Sequence, residues 1–537
     1  MGLGPAQFEK YTFHENHLFA RQKLSKDSMK GLFVNIPNAI KAIQTFDVAL
    51  GTESTLDYVR VGKHEIVANN SAEDWPQGCV YEDKAVALTV VAAGWLIFRG
   101  KFGNLSELAS AIGNTSSDSQ VDHLLSEIDA GAFIIFIRRG VDFSIITDPF
   151  GLHPHYCLDG APLKGMAPSP TFLSKGLKPD ALRVSILSKM NHLFGNYTTY
   201  ARIERLEPGS VNMGARHRRY FDYSPQEVTG VEIIAALRQT LSLFRERKKI
   251  LPISGGLDSR LILACGEYEY GYTFGPKETG DRPIARQFSG HFQKYLEFSL
   301  LDMKYNEKVR DAGVKMFDGV CEKPFVELLA VYKFLFDQWG KNCLFFDGYI
   351  GDVFTRGTFL KYGGFMGSIE KLFPLITKVR FDALRMLRKR YAKLNDQEFG
   401  LLKGIYEEKI GHLKLSEPRK ALLFDILYGR ASRYAINGGT ILSRQYFSPV
   451  QPFMIPIVFR KVFGIDPYEA MSYQTVPKLW RHLDDPLMQA LTYSGFKPMW
   501  NPHLSRMAVL VTKGLGRFNV IKKAVQFDRE LQHIRWQ

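Results

Sequence analysis

The chain has 537 residues, of which 45% are apolar and 13% aromatic, and its formal net charge is +15. This length exceeds one ordinary core, and the apolar content excludes an intrinsically disordered protein, so we expect two domains. The charge would suit nucleic acid, a membrane surface or anionic small molecules, but the simplest interpretation is an enzyme with a basic surface.

The cysteines are odd in number, far apart and without a CxxC pair, which disfavours a zinc site and a disulfide framework. They are Cys79, Cys157, Cys265, Cys321 and Cys343. No signal-peptide pattern and no apolar run long enough to span a bilayer are present. We therefore expect a cytoplasmic protein with no membrane span.

Short strands separated by turn residues are typical of the first half. The pattern predicts strands at 85–91, 132–137 and 143–147 and a helix at 105–112. Sheet is the main component, which indicates an α+β domain over residues 1–228. Residues 1–84 match nothing to which a role can be assigned.

Strands and helices alternate after residue 228. The periodicity predicts helices through 230–244, 260–265 and 281–292 and strands at 250–253 and 270–274. Such alternation indicates a parallel sheet. Residues 229–537 are therefore expected to form an α/β domain that is mainly helical after about residue 365.

A glycine turn between a strand and a helix has the sequence SGGLDS at 254–259. Glycine lets the backbone approach a ligand closely, and the N–H groups of such a turn form an anion site. Ser254 and Ser259 add hydroxyl donors, whereas Asp258 suits a phosphate site only if it binds Mg²⁺ or orients the loop. The missing Gly-Lys-Ser/Thr ending excludes a Walker A loop. The alternative is a glycine turn without a ligand.

A second loop, DGYIGD at 347–352, follows an apolar strand that ends at Phe346. Loops at the carboxyl ends of parallel strands lie in the ligand crevice. Asp352 is therefore expected to supply a second metal carboxylate beside Asp258. The alternative is an ordinary surface turn.

With these loops in view, the chain resembles the asparagine synthetase family, whose pyrophosphate-binding loop reads SGGxDS. The likeness covers most of the chain past residue 85. Weaker matches, in order, are DPFGLHPHY at 148–156, IERLEPG at 203–209, YTFG at 272–275 with the helix from Asp281, and SRQYFSPVQ at 443–451.

The resemblance implies a fold and an activity. Residues 1–228 would form a degenerate class II glutamine amidotransferase-like domain, an N-terminal-nucleophile-like sandwich. Residues 229–537 would form an adenine-nucleotide α-hydrolase-like synthetase domain with a parallel sheet and a helical C-terminal part. With ATP and Mg²⁺ as cofactors, a substrate carboxylate would attack the α-phosphate, pyrophosphate would leave, and an amine would displace AMP.

Two departures from the family pattern concern the nucleophile. Glutamine-using members have a cysteine after the initiator Met, where this chain has Gly2. We therefore expect ammonia or a substrate amine to be used, not glutamine. Tyr349 stands where the asparagine-forming enzymes have a glutamate, as in the β-lactam synthetase branch, so the product is left open.

Several other functions are compatible with these residues, and most of them would also proceed through an adenylate. An intramolecular cyclase of the β-lactam synthetase or lasso-peptide cyclase type, or an enzyme that amidates a sugar acid or natural product, would keep the adenylate. A tRNA-modifying ATP-pyrophosphatase would explain the charge, and an inactive binding partner is disfavoured by the presence of Ser254, Asp258 and Asp352. The expected partners are aspartate or an analogous carboxylate with ammonia or an amine, a peptide or sugar acid being the alternative. Nucleic acid is disfavoured, and a homodimer is compatible with the sequence.

The predicted site residues fall into three groups. The catalytic candidates are Asp258, Asp352, Tyr349 and Lys478, and the metal ligands are Asp258 and Asp352. The predicted ATP- and pyrophosphate-binding residues are Ser254, Gly255, Gly256, Leu257, Asp258, Ser259, Phe274, Gly275, Asp347 and Gly348.

Less specific patterns surround Lys478, which matches the family's lysine near the adenylate. Glu469 and Tyr473, four residues apart, are expected to share a helix face as an acid/base pair or as a solvated helix. The thirteen histidines show no metal spacing, so His153, His155 and His482 are interpreted as structural.

Overall fold

The computed structural model describes residues 9–13, 17–24, 29–41, 54–214, 216–275, 281–322, 324–340, 342–360, 381–483, 485–517 and 534. The chain divides into two compact units. The first comprises Met1–Asp222, Asn306–Asp337 and Ser432–Ser448, and the second comprises Tyr223–Tyr305, Gln338–Ala431 and Pro449–Gln537. Compact grouping does not show which parts would fold alone, so the division into domains at residue 228 stays a prediction.

The first unit contains two antiparallel sheets. Their strands are β1 (Glu9–Phe13), β2 (His17–Leu24), β3 (Gly31–Val34), β4 (Ser54–Val61), β5 (His64–Asn70), β6 (Val80–Asp83), β7 (Leu88–Phe98), β8 (Lys101–Phe102), β9 (Ile128–Arg139), β10 (Asp142–Thr147), β11 (Tyr156–Leu158), β12 (Met166–Ala167), β13 (Ile203–Arg205), β14 (Ser210–Met213) and β15 (Arg216–Arg219). One sheet has the order β1-β2-β4-β5-β3-β12-β11-β13, and the other has the order β15-β14-β10-β9-β7-β6 with β8 beside β7.

The two sheets of the first unit contact each other through β3 and β5 on one side and β7 on the other. Every residue of β7 is buried, as expected for a strand covered on both faces. The strand predicted at 85–91 begins later and runs further, and it is the 11-residue β7.

The second unit is built on a sheet whose order is β18-β17-β16-β19-β20. These strands are β16 (Lys248–Pro252), β17 (Tyr268–Phe274), β18 (Phe292–Phe298), β19 (Cys343–Phe346) and β20 (Ser448–Val450). The pairs β16–β17, β17–β18 and β16–β19 are parallel. The chain moves outward from β16 in one direction and returns to add β19 on its other side, so the order reverses between β16 and β19.

The helices complete both units. They are α1 (Leu105–Gly113), α2 (Asp118–Ser126), α3 (Ala181–Met190), α4 (Gly230–Ser242), α5 (Asp258–Cys265), α6 (Arg282–Ala285), α7 (Glu307–Met316), α8 (Leu328–Trp339), α9 (Gly351–Arg356), α10 (Ala383–Arg390), α11 (Asp396–Tyr406), α12 (Glu417–Leu427), α13 (Asn437–Arg444), α14 (Pro456–Gly464), α15 (Pro467–Met471), α16 (Thr475–Trp480) and α17 (Pro502–Arg517).

The helix predicted at 281–292 is wrong in kind and in length. Only α6 is α-helical, a 3₁₀ segment covers Arg286–His291, and Phe292 already begins β18. Ser289 and Gly290 are weaker helix formers than the residues before them, so the α-helix is not sustained.

The predicted combination of an antiparallel-sheet region with a parallel sheet and helices is confirmed as a mixed α/β fold. The elements described from residue 381 onward are helical apart from β20. Within the described ranges, no helix combines the length and the apolarity required to cross a bilayer.

Candidate functional site

The two predicted loops meet where the strand order reverses. In open α/β sheets, ligands bind at such a switch point, beyond the carboxyl ends of the strands. A Cβ at Gly348 would lie 3.3 Å from Cβ of Asp258, and a Cβ at Gly351 would lie 3.0 Å from it. Both glycines therefore let the loop after β19 lie directly against the start of α5.

The loop at 254–259 is folded on its own hydroxyl groups. The Oγ atoms of Ser254 and Ser259 are 3.1 Å apart, and Oγ of Ser259 accepts the N–H of Ser254 at 3.2 Å. Gly256 donates its N–H to Oγ of Ser254 at 3.1 Å. The N–H of Gly255 donates to Oδ1 of Asp281 at 2.9 Å. A carboxylate thus already occupies one N–H group of the predicted anion site.

Arg260 holds the backbone of this loop and of a neighbouring segment through hydrogen bonds to carbonyl oxygens. Its side chain is fully buried and donates to the carbonyl oxygens of Gly255 at 3.0 Å, Ala490 at 2.9 Å and Leu491 at 2.7 Å. Burial lowers the pKa of Arg260 to about 10, although the charge of Asp281 acts in the opposite direction. The guanidinium therefore fixes the position of the Gly255 carbonyl in the turn.

Asp258, the first residue of α5, is paired with a residue that the sequence did not single out. Nη2 of Arg356 donates to Oδ2 of Asp258 at 2.7 Å, and the Arg356 and Asp258 side chains are 12% and 21% exposed. Burial raises the pKa of Asp258 to about 6, with Asp352 acting in the same direction and Arg356 against it. Burial also lowers the pKa of Arg356, but the charges of Asp258 and Asp352 outweigh it, so that pKa is raised.

Asp352 lies in the first turn of α9, where a loop position was expected. The residue before this helix, Ile350, has a φ of 62°. A β-branched side chain rarely adopts a left-handed backbone, and such a conformation costs about 1–3 kcal/mol. The 347–352 loop therefore contains backbone strain beside Asp258, as is common at ligand sites.

Asp347 and Tyr349 belong to the same loop and are both half-buried. Burial raises the pKa of Asp347 to about 7, while the N–H of Tyr349, which donates to Oδ1 at 3.1 Å, opposes the shift. Asp347 in turn donates its own N–H to the carbonyl of Val450 at 3.0 Å. The predicted role of Tyr349 as a base stays a prediction.

Phe274 and Gly275 lie at the carboxyl end of β17. The Phe274 ring is stacked near those of Tyr272 and Phe298, with centroid distances of 6.3 and 6.2 Å. Gly275 accepts a hydrogen bond from Nη1 of Arg282 at 2.9 Å. These contacts account for both residues as parts of the sheet edge, and their predicted contact with ATP stays a prediction.

Lys478 has a different partner. Its Nζ lies 2.7 Å from both carboxylate oxygens of Glu469. The pair lines a cavity of about 660 Å³ with Thr229, Arg419 and His482, and among the described residues that line it none belongs to the 254–259 loop. Any action of Lys478 on an adenylate would require this ion pair to open first.

The expectation that Glu469 and Tyr473 share a helix face is wrong. Helix α15 ends at Met471, and Tyr473 has a φ of 64°, so the chain turns between the two residues. Tyr473 is buried, whereas the Glu469 side chain is 38% exposed. Burial raises the pKa of Tyr473, and the nearby charge of Arg356 opposes that shift.

Sequence reasoning missed Arg356 and Tyr493. Tyr493 donates its N–H to the carbonyl of Gly255 at 3.1 Å, and its ring atom Cε1 lies 3.6 Å from where a Cβ at Gly256 would be. Its side chain remains 46% exposed beside the loop. Arg356 is four residues after Asp352 on a helix, a spacing that could have indicated it. No local pattern marks Tyr493.

The first unit contains a separate buried cluster, formed by the segments at 148–156, 203–209 and 443–448. The Asp148 carboxylate accepts the N–H groups of Phe150, Leu152 and His153 at 2.9–3.0 Å. The buried Arg444 donates to the carbonyl of Leu152. Burial lowers the pKa of His153 and that of His155, which agrees with uncharged, structural histidines.

The five cysteines are distributed over both units. All five are buried free thiols, and the part of the chain that the structure describes contains no group of three or more His, Cys, Asp and Glu residues arranged to hold a metal. Gly2, on which the expectation about glutamine rests, lies outside the described residues.

Comparison with known proteins adds little to this geometry. No family model matches the chain, and no curated protein matches it significantly. Among solved structures, the allosteric regulatory enzyme of purine biosynthesis aligns with 13% identity and a TM-score of 0.23, over 62% of this chain and 70% of that one. Glutamine phosphoribosylpyrophosphate amidotransferase from B. subtilis, complexed with ADP and GMP, aligns with 12% identity and a TM-score of 0.22, over 60% and 70%. Scores of this size establish neither a shared fold nor a shared function.

Proposed function

We propose that the second unit activates a substrate carboxylate by adenylation with ATP and joins it to ammonia or an amine. The observation that carries this proposal is the meeting of two loops at the switch point of a parallel sheet. There a Cβ at Gly348 or at Gly351 would lie 3.3 or 3.0 Å from Cβ of Asp258, so the second loop packs directly against the start of α5. A glycine-rich turn that leads into a helix is a site for phosphate groups.

The reaction has two steps. A carboxylate oxygen of the substrate attacks the α-phosphorus of ATP, and the bond from that phosphorus to the bridging oxygen breaks, releasing pyrophosphate. The amine nitrogen then attacks the acyl carbon, AMP leaves, and the nitrogen gives up a proton to a base. Tyr349, on the loop that faces Asp258, is the candidate for that base.

The chain's own groups have defined tasks in this scheme. The turn at 254–259 binds the phosphates through its N–H groups, and the N–H of Gly255 becomes available when Asp281 gives it up. Arg260 holds the turn in place from the protein side. The exposed ring of Tyr493 borders the loop and limits the space above it.

Asp258 and Asp352 fit a Mg²⁺ ion, because Mg²⁺ bound with a nucleotide needs only one or two protein carboxylates and keeps water and phosphate ligands. Asp352 belongs to α9, the helix whose last residue, Arg356, donates to Asp258. When bound, the ion would neutralise charge on the phosphate oxygens.

The test is carboxylate-dependent exchange of labelled pyrophosphate into ATP, which reports reversible adenylation without an amine. A panel of acids that begins with aspartate should reveal one that supports exchange, with AMP and not ADP as the nucleotide product. Asp258→Ala should lower the exchange by about 100-fold or more, the usual effect of removing a charge-stabilising group.

The matched control is Asp396→Ala, which removes a fully exposed carboxylate in the same unit and should leave exchange unchanged. Ammonium and glutamine are then compared as nitrogen donors. We expect amide formation with ammonium and none with glutamine. Formation of ADP, or exchange that survives Asp258→Ala, would refute the proposal.

A further inference from the structure

The Arg356 side chain is bonded to Asp258, the carboxylate that is proposed to bind the metal. Arg356 is hydrogen-bonded to Oδ2 of Asp258 at 2.7 Å, and the charge of Asp352 acts on both residues. The guanidinium offsets part of the negative charge of the two acids, which is the task that a divalent ion would otherwise have. An incoming cation would therefore have to replace the guanidinium on Asp258.

In its position beside Asp258, the guanidinium of Arg356 does not use all of its hydrogen-bond donors. Its Nε atom is buried and has no hydrogen-bond partner among the residues that the structure describes. An unsatisfied buried donor costs about 1–3 kcal/mol, so this conformation can be improved by a ligand. Arg356 is also the last residue of α9, and Gly357 follows with a φ of 56°. A Cβ at Gly357 would lie 2.7 Å from the Met471 side chain, so the end of α9 that carries Arg356 requires glycine.

We propose that Arg356 acts as an internal cation, which occupies the metal position on Asp258 while no nucleotide is bound and must be displaced when Mg²⁺ enters with ATP. This inference rests on the proposed function, because it concerns the same carboxylate pair. It assigns Arg356 a positioning role, through Asp258, in loading the site.

Displacement has a chemical consequence. A guanidinium that leaves Asp258 is a planar donor suited to paired oxygen atoms of a phosphate or a carboxylate. Metal alone should bind weakly, since it competes with Arg356 without offering that guanidinium a new partner. Metal together with nucleotide should bind better, because phosphate oxygens supply one.

The experiment measures Mn²⁺ binding to the full chain without nucleotide, by loss of the free-ion signal in electron paramagnetic resonance. Arg356→Met should tighten Mn²⁺ binding at least about fivefold, the lower end of ordinary coupling between two ligands. Arg356→Gln, which removes the charge and keeps hydrogen-bond donors, should do the same and serves if the Met variant packs badly. Arg385→Met, at an exposed arginine of the same unit, is the matched control and should change nothing.

A double variant locates the effect. When Asp258→Asn is combined with Arg356→Met, the gain in Mn²⁺ affinity should disappear. Unchanged or weaker Mn²⁺ binding in folded Arg356→Met and Arg356→Gln would overturn the proposal, and so would the absence of Mn²⁺ binding in every variant. Because Mn²⁺ binding is measured without ATP or acid, tighter Mn²⁺ binding by the Arg356 variants together with no pyrophosphate exchange by the wild-type chain would refute the proposed function and leave the role of Arg356 intact.

Discussion

Two carboxylates, one fully buried in the first unit and one half-buried in the second, have opposite surroundings. Asp148 is completely buried, and three backbone N–H groups of its own loop donate to it. Asp258 keeps 21% of its side-chain exposure and is held by a side chain, Arg356, beside a second acid. A carboxylate whose lone pairs are taken by its own backbone is part of the fold. One that is held by another side chain at a sheet's switch point has a partner that a ligand could replace, as we propose for Asp258.

The largest expected effect is on stability in the first unit. Asp148→Ala removes the acceptor of three backbone N–H groups and the charge nearest to Arg444, so the free energy of unfolding should fall by about 3–5 kcal/mol. Asp258→Ala should cost less, about 1–3 kcal/mol, because it leaves one donor of the 12%-exposed Arg356 side chain without its acceptor. Urea unfolding of both variants measures the difference. Equal losses would mean that the two carboxylates do not differ as described.

A second test places a methyl group between the two loops. Gly351→Ala would put a Cβ 2.7 Å from the ring of Phe453 and 2.9 Å from Oδ1 of Asp258. Phe453 is fully buried and cannot retreat, so the loop must shift, and we expect ATP affinity to fall by roughly 10–100-fold, the scale of a misplaced site. Equilibrium dialysis with labelled ATP provides the measurement.

The control for that substitution is Gly404→Ala. No atom would lie within 4 Å of a Cβ at Gly404, which is inside α11. Alanine should stabilise this helix by about 0.5–1 kcal/mol and leave ATP binding unchanged. Equal ATP binding by Gly351→Ala and the wild-type chain would show that the loops need not touch.

The smallest expected effect concerns pH. Burial raises the pKa of Asp347 from its ordinary value to about 7, so the folded chain binds more protons than the unfolded chain between about pH 4 and pH 7. Stability should therefore fall as the pH rises through that window. Asp347→Asn retains an acceptor for the N–H of Tyr349 and should remove this dependence, gaining roughly 1–2 kcal/mol at pH 8 and little at pH 4. The measurement is the urea midpoint of the Asp347→Asn variant and of the wild-type chain at pH 4 and at pH 8. An equal gain in stability at both pH values would show that the gain does not come from the titration of Asp347.

Much of the second unit could be predicted because its signals are local. The turn SGGLDS needs glycine for its backbone and lies between an apolar strand and an apolar helix, so its position after β16 followed from residue types alone. The order of β16 and β19 did not follow, because strand order depends on contacts between residues almost a hundred positions apart. The strand at Phe292–Phe298 was not predicted, and its first residue was assigned to the helix predicted at 281–292.

The sequence by itself determined the mixed α/β class and the positions of the two glycine-containing turns that follow β16 and β19, because each depends on neighbouring residues or on composition. Only the tertiary structure decided that Arg356 is bonded to Asp258, that Tyr493 borders the loop, and that Lys478 is paired with Glu469. Those contacts join side chains from separate elements, and a one-dimensional pattern contains no record of which elements become neighbours once the apolar faces are buried.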